Sequence, residues 1–127
     1  MLKLYIILTI SIIIILAISI GSLYYLQYTA DNLTVNLRTL EKSITQEEWH
    51  LAADDFSTTY AQWNKYRHIW PIIIDHSKVA EISKIYIDLQ QSIKYADLPR
   101  ASQEIQTLLY LVYEIPATEK LSWQNIF

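Results

Sequence analysis

Apolar and polar positions follow two regimes along this chain. From Leu4 to Leu26 no charged residue occurs over 23 consecutive positions. As a helix that run extends about 34 Å, enough to cross a hydrocarbon core of about 30 Å with some tilt. Beyond Gln27 the apolar residues recur three and four apart, the spacing of helices with one buried face. Leu33, Leu37, Leu40 and Ile44 share one such face, which predicts a first helix that continues straight out of the apolar run.

Thr45-Gln-Glu-Glu48 has the form of a capping box, threonine bonding the amide three residues on and glutamate reaching back. It predicts a second helix starting there. The stripe of that helix is Trp49, Ala53, Phe56, Tyr60, Trp63, Arg67 and Trp70. Pro71 interrupts it, because proline removes an amide and clashes one turn back. Ile72-Ile73-Ile74 stay apolar, so the helix ends either at Pro71 or, kinked there, at Asp75-His76-Ser77. A third helix carries Val79, Ile82, Ile85, Tyr86, Leu89 and Ile93 inward. Asp97-Leu-Pro99 then reads as a cap with proline in the first turn of a fourth. Its stripe is Leu98, Ala101, Ile105, Leu108, Val112 and Ile115, and Pro116 is expected to end it. Leu121, Trp123, Ile126 and Phe127 make residues 117–127 too apolar for a free tail, so this stretch is expected to fold back onto the bundle.

Sustained period-two alternation and Asn-Gly or Asp-Gly turns are absent, so strands are not predicted. Trp49, Ala53 and Tyr60 resemble part of a tetratricopeptide repeat, but no second copy follows at that motif's period of 34. Long helices with short connections predict an all-α protein, a transmembrane helix followed by an antiparallel bundle of three to four helices. Residues 1–28 form the transmembrane signal-anchor and residues 29–127 the bundle.

Composition removes several function classes. From Gln27 onward 9 Lys and Arg face 13 Asp and Glu, a net charge of −4. A mildly acidic domain lacks the clustered cations that nucleic acid requires. The chain has no cysteine, which excludes disulfides, thiolate zinc sites and cysteine nucleophiles. Its single glycine, Gly21, lies in the apolar run, so the rest cannot build a P-loop, a dinucleotide fingerprint or a nucleophile elbow.

Lys3 and the amino terminus precede the apolar run, and only Asp31 and Arg38 are charged in the next 15 or so residues. The basic-residue bias places the amino terminus in the cytoplasm and the bundle outside it. A cleaved signal peptide is the alternative, with Ala17-Ile-Ser19 as a small-x-small site. The length of the run and the belt of Tyr24, Tyr25 and Tyr28 at its outer end favour the anchor.

The remaining polar candidates each have a plain structural reading. Glu47-Glu-Trp-His50 has the Glu-x-x-His spacing of di-iron bundles, but those need two such motifs, and here there is one. His50 with Asp54, and His68 with Asp75 and His76, bring imidazoles near carboxylates without a spacing that demands a metal. Asp75-His76 stands where an orphan amide of the next helix needs a partner. Its functional reading is a pH-responsive or ligand-contacting His76. Trp63 and the other rings read as core. A ring surplus beyond what a small bundle buries reads as an exposed patch for a partner protein or a greasy ligand. Neither a cofactor nor a set of nucleophile, base and orienter emerges. The leading function is therefore a non-enzymatic interaction or regulatory module at the cell envelope. The alternative is a sensor or carrier that binds a small ligand or metal between its helices.

Taken together, an apolar amino-terminal span, Trp49, Trp63 and Trp70 seven apart, and Ile74-Asp75-His76 resemble one bacterial family. Ile115-Pro116, Glu119-Lys-Leu-Ser122 and Asn125-Ile126-Phe127 complete the resemblance. The family is domain of unknown function 4363, small membrane-anchored helical proteins of spore-forming Gram-positive bacteria. The Asp75-His76 pair and the Asn125-Ile126-Phe127 ending carry the resemblance most specifically. Pro71 and Ser77-Lys78 depart from the family's pattern. The resemblance implies a topology without an activity, and a multi-span membrane protein of the YetF type as a possible partner.

Overall fold

The computed structural model describes residues 1–126 and consists of five helices. These are α1 (Leu2–Thr45), α2 (Trp49–Tyr66), α3 (Trp70–Ile73), α4 (His76–Lys94) and α5 (Leu98–Ile126). No strand occurs among the described residues. The 44 residues of α1 form one unbroken rod whose apolar amino-terminal part is long and apolar enough to span a membrane. Burial begins at Leu26 and recurs at Thr29, Ala30, Leu33, Leu37 and Leu40. The apolar segment and the first wall of the bundle are thus one rigid element.

α1 packs along α5 and α2, and α4 closes the ring tightly against α5 and more loosely against α2. Successive long helices reverse direction, giving an up-down-up-down bundle. The α1–α2 and α4–α5 joints lie at its far end. The α2–α4 connection, containing α3, lies at its base, beside the apolar segment. Leu33, Leu37, Leu40, Trp63, Trp70, Tyr86, Ile105 and Leu108 are among the fully buried side chains. Burying an aliphatic side chain of this size contributes about 1.5–3 kcal/mol.

The two far-end joints are copies of one another at an offset of 49 residues. In the first, the Glu47 amide donates to Ile44 O (2.9 Å) and the Glu48 amide to Ser43 O (3.0 Å). In the second, the Ala96 amide donates to Ile93 O (3.1 Å) and the Asp97 amide to Ser92 O (2.9 Å). Both are Schellman turns, and both place a non-glycine residue in the left-handed region, Glu47 at φ 55° and Ala96 at φ 52°. Each is latched to the next helix in the same way. Ser43 Oγ donates to Asp55 Oδ2 at 2.5 Å, and Ser92 Oγ to Glu104 Oε2 at 2.6 Å. The pattern Leu-x2-Ser-Ile-x3-acid-x3-Ala-x2-acid therefore occurs twice, at Leu40–Asp55 and Leu89–Glu104. Its offset of 49 residues is unlike the 34-residue period of a tetratricopeptide repeat.

Five local expectations differ from the structure. The capping box at Thr45 does not form. Thr45 closes α1, its hydroxyl bonds Glu41 O within that helix (2.8 Å), and α2 starts at Trp49 without a side-chain cap. The Schellman turn already uses the amides that the box would have satisfied. The second helix neither ends at Pro71 nor kinks there. It stops at Tyr66, and Pro71 sits in the first turn of α3, where its missing amide is no loss. The buried stripe of α2 is Ala52, Phe56, Thr59 and Trp63, so Ala53 and Arg67 face outward. Pro116 does not end the last helix, because Val112, Ile115 and Pro116 are buried along it and that packing offsets the lost bond. Residues 117–126 consequently continue as helix rather than turning back.

Candidate functional site

The interior between α2 and α4 is built from rings. Tyr86 stacks on Trp63 with centroids 6.0 Å apart and meets Phe56 edge-on at 6.1 Å. Trp63 and Trp70 form a perpendicular pair at 5.2 Å. Each polar tip in this cluster has a partner. Trp63 Nε1 donates to Ser83 Oγ (2.9 Å) and Trp70 Nε1 to Thr29 Oγ1 (2.9 Å). The Tyr86 hydroxyl shares a 3.0 Å bond with Thr59 Oγ1. Burial pushes the Tyr86 phenol far above its ordinary pKa, so it remains a neutral hydrogen-bonding group. Trp63 and Trp70 are thus core residues that tie α2 to α4 and α3 to α1.

Asp75 caps α4, its Oδ1 accepting from the Ser77 amide at 3.1 Å. That backbone bond, with the Ser77 hydroxyl second, holds its carboxyl below the usual value. His76 is the first residue of α4 and is exposed. Asn125 and Ile126 are exposed on the last turn of α5, and Phe127 lies outside the described residues. Since α5 runs back toward the base, Asp75, His76, Asn125 and Ile126 all belong to that end, separate from the buried Trp63. Among the described residues no three His, Asp or Glu side chains converge as a metal site. His50 is exposed, and Glu47 sits in the left-handed turn before α2, so the Glu-x-x-His spacing does not fall on one helical turn.

The chemistry-bearing concavity is elsewhere. A groove of about 590 Å³ opens between the first turns of α2 and the last turns of α4. Trp49, Phe56 and Ile93 give it apolar walls, Ala53 and Ser57 a shallow floor, and His50, Gln90, Gln91 and Lys94 a polar rim. On this face of α2 the small residues Ala53 and Ser57 stand beside the larger rings of Trp49 and Phe56, which leaves the space open. Small residues beside Trp49 are the sequence signal that could reveal it, and the assignment of Ala53 to the buried stripe concealed it. A second, smaller groove of about 330 Å³ runs between α1 and α5, with Asp31 and Arg38 on one wall and Tyr110 and Tyr113 on the other. Among the described residues, Tyr24, Tyr28, Tyr95, Tyr110 and Tyr113 are the most exposed aromatic rings beyond the start of α1, so the surplus seen there consists of tyrosines.

The fold and its surfaces define a class, a four-helix bundle rigidly continuous with an apolar helix and carrying an open groove at the far end. Residues 20–126 match the model of a protein family described as a domain of unknown function (DUF4363). The chain belongs to that family. Neither a curated protein nor a solved structure matches it.

Proposed function

We propose that the protein is a single-pass membrane-anchored interaction module, without enzymatic activity, that presents its bundle outside the cytoplasm to another envelope protein. The observation that carries this reading is the continuity of α1. One helix is both the candidate span and a wall of the core, so the bundle is held at a fixed height and tilt. From Leu26 to the far-end joint the rod rises about 30 Å. The α2–α4 groove is thereby displayed well clear of the lipid. Its mixed lining of Trp49, Phe56 and Ile93 beside Lys94 and His50 suits an amphipathic helix or loop with an acidic flank. A multi-span protein of the YetF type, which the family resemblance implies, is the first partner to test.

The test is a mild-detergent pull-down of the full-length protein from its native membrane, compared with an Ala53→Arg variant. Ala53 is exposed, so a long side chain there fills the groove without entering the core. A stoichiometric partner that is lost with Ala53→Arg supports the module, and a partner-free preparation overturns it. The groove volume also favours a second reading, a carrier or sensor, since small-ligand sites occupy about 300–1,000 Å³. In that case a candidate compound raises the melting temperature of the wild-type protein and not of Ala53→Arg.

A further inference from the structure

The base of the bundle carries apolar groups that the core does not use. On the α2–α4 connection, Ile72 is 83% exposed, and Ile69 beside it is also exposed. On the last turns of α5, Leu121 and Ile126 (70%) are exposed as well. The register of α5 against α1 fixes how far down these groups reach. Gln106 on α5 donates to the Glu41 carboxylate on α1. Twenty residues further along α5 is Ile126, and twenty residues back along α1 is Gly21. The α1–α5 groove, walled by Gln27 to Arg38 and Gln106 to Tyr113, places the end of α5 lower still, near Leu16. Burial along α1 agrees. Leu16 is the least exposed of the large apolar residues from Leu2 to Ile20, at 37%, and Ser19, Ser22 and Leu23 on the same side are half-buried. The α3 tip sits higher, at the outer limit of the run, because Trp70 is bonded to Thr29, less than one turn beyond Leu26.

We propose that this base is a membrane-seating surface. Leu121 and Ile126 on α5, and Ile69 and Ile72 at the α3 tip, enter the boundary between headgroups and acyl chains beside α1. The occupant is lipid because the surface is continuous with the apolar run Leu4–Leu26, and because α5 descends alongside that run. At 1.5 Å per residue, the end of α5 lies about 7–15 Å inside the outer limit of the run, a range that begins within the depth of about 5–10 Å reached by interfacial helices. After Lys120 the described part of α5 is uncharged, mixing Leu121, Trp123 and Ile126 with Ser122, Gln124 and Asn125. That mixture suits an interface rather than the bilayer centre. The proposal rests on α1 being a membrane span, and the experiment separates the two claims.

Because the chain has no cysteine, single labels are simply placed. Full-length Ile126→Cys, Ile72→Cys, Ile13→Cys and Tyr95→Cys variants carrying a polarity-sensitive fluorophore are reconstituted into phosphatidylcholine–phosphatidylglycerol vesicles. Quenching by nitroxide lipid is then compared with quenching by aqueous iodide. The expected result is lipid quenching at 126 and 72 at least threefold stronger than at 95, with iodide quenching reduced in proportion. Labels at 126 or 72 as open to iodide as the label at 95 overturn the seat. So do labels shielded from iodide yet untouched by lipid nitroxide, which would mark a protein contact. If Ile13→Cys also escapes the lipid quencher, the span itself is wrong. If Ile13→Cys is quenched and 126 or 72 is not, only the seat fails.

Discussion

The two helical hairpins of this bundle, α1 with α2 and α4 with α5, share a joint and differ in what they place between the joints. Leu40, Ser43, Ile44 and Ala52 recur as Leu89, Ser92, Ile93 and Ala101, and all eight are buried. These residues set the turn, its latch and the close approach of the helices. Away from the joints the correspondence is in position only. Phe56 and Trp63 of the first hairpin match Ile105 and Val112 of the second, while Leu37 matches Tyr86. The result is an asymmetric core. Rings fill the wide α2–α4 side and aliphatic side chains fill the tighter α1–α5 seam. A repeated frame with unlike filling goes with a groove on one side, where the small residues Ala53 and Ser57 stand beside Trp49 and Phe56.

The largest effects should distinguish the two fillings. Trp63→Ala removes a fully buried ring together with its bond to Ser83 and is expected to cost about 3–5 kcal/mol. Val112→Ala, at the matching position of the second hairpin, should cost about 1.5–2.5 kcal/mol. Chemical unfolding of the full chain in detergent, followed by circular dichroism, gives both values. Equal losses would contradict the division into an aromatic and an aliphatic side.

Within the aromatic side, the Thr59–Tyr86 bond tests how its polar tips are satisfied. Tyr86→Phe leaves the buried Thr59 hydroxyl without this partner and should cost about 1–3 kcal/mol. Adding Thr59→Val to Tyr86→Phe should recover part of that loss, since no polar atom is then left stranded. A double variant that is worse by the full sum of the two singles would show that the bond is not the coupling between these helices.

The latches probe the frame itself. Ser43→Ala deprives the half-buried Asp55 carboxylate of its hydroxyl donor and should cost about 1.5–3 kcal/mol. Ser92→Ala should cost less, because Arg100 Nε also donates to Glu104 at 3.0 Å. The reverse ranking in thermal melts would break the equivalence of the joints. A smaller, pH-dependent effect is expected at the base, where no such repeat exists. Asp75 has a lowered pKa in the folded protein, so its contribution is complete above the ordinary carboxylate value. It is lost as pH falls through the lowered one. Asp75→Ala should therefore melt lower than wild type at pH 7, and the gap should close toward pH 2. A gap that persists at low pH would assign the effect to something other than the cap.

What could be read in the sequence follows the same division. The apolar run, the inward stripes of α4 and α5, and the Asp75 and Asp97 caps were legible because each uses a local spacing with one physical meaning. Thr45-x-x-Glu48 was not, since the same residues serve a Schellman turn when Glu47 accepts a left-handed backbone. Pro116 misled because burial within the bundle outweighs one missing amide, and that depends on residues distant in the sequence. The repeat escaped because it lives in the spacing of a serine and a later acid, with few identities between the copies. The α2–α4 groove was invisible for a related reason. It depends on which of Ala52 and Ala53 faces inward, a rotation that Phe56 and Trp63 settle only once α4 is present.

The smallest expected effect bears most directly on the frame. Glu47 and Ala96 hold the left-handed position that helix ends ordinarily give to glycine, and the bundle outside the apolar run contains none. A left-handed non-glycine residue costs about 1–2 kcal/mol, and glycine adds about 0.4–1 kcal/mol of unfolded-state entropy in return. Ala96→Gly should thus stabilise by about 0.5–1 kcal/mol, a rise of a few degrees in melting temperature. Glu47→Gly should do the same, because no bond of the Glu47 side chain is at stake in the turn. Two matching gains, additive in the double variant because the joints belong to separate hairpins, would establish the joints as independent copies of one device. A gain at one and a loss at the other would show that only one of them is held in the left-handed region by its own turn.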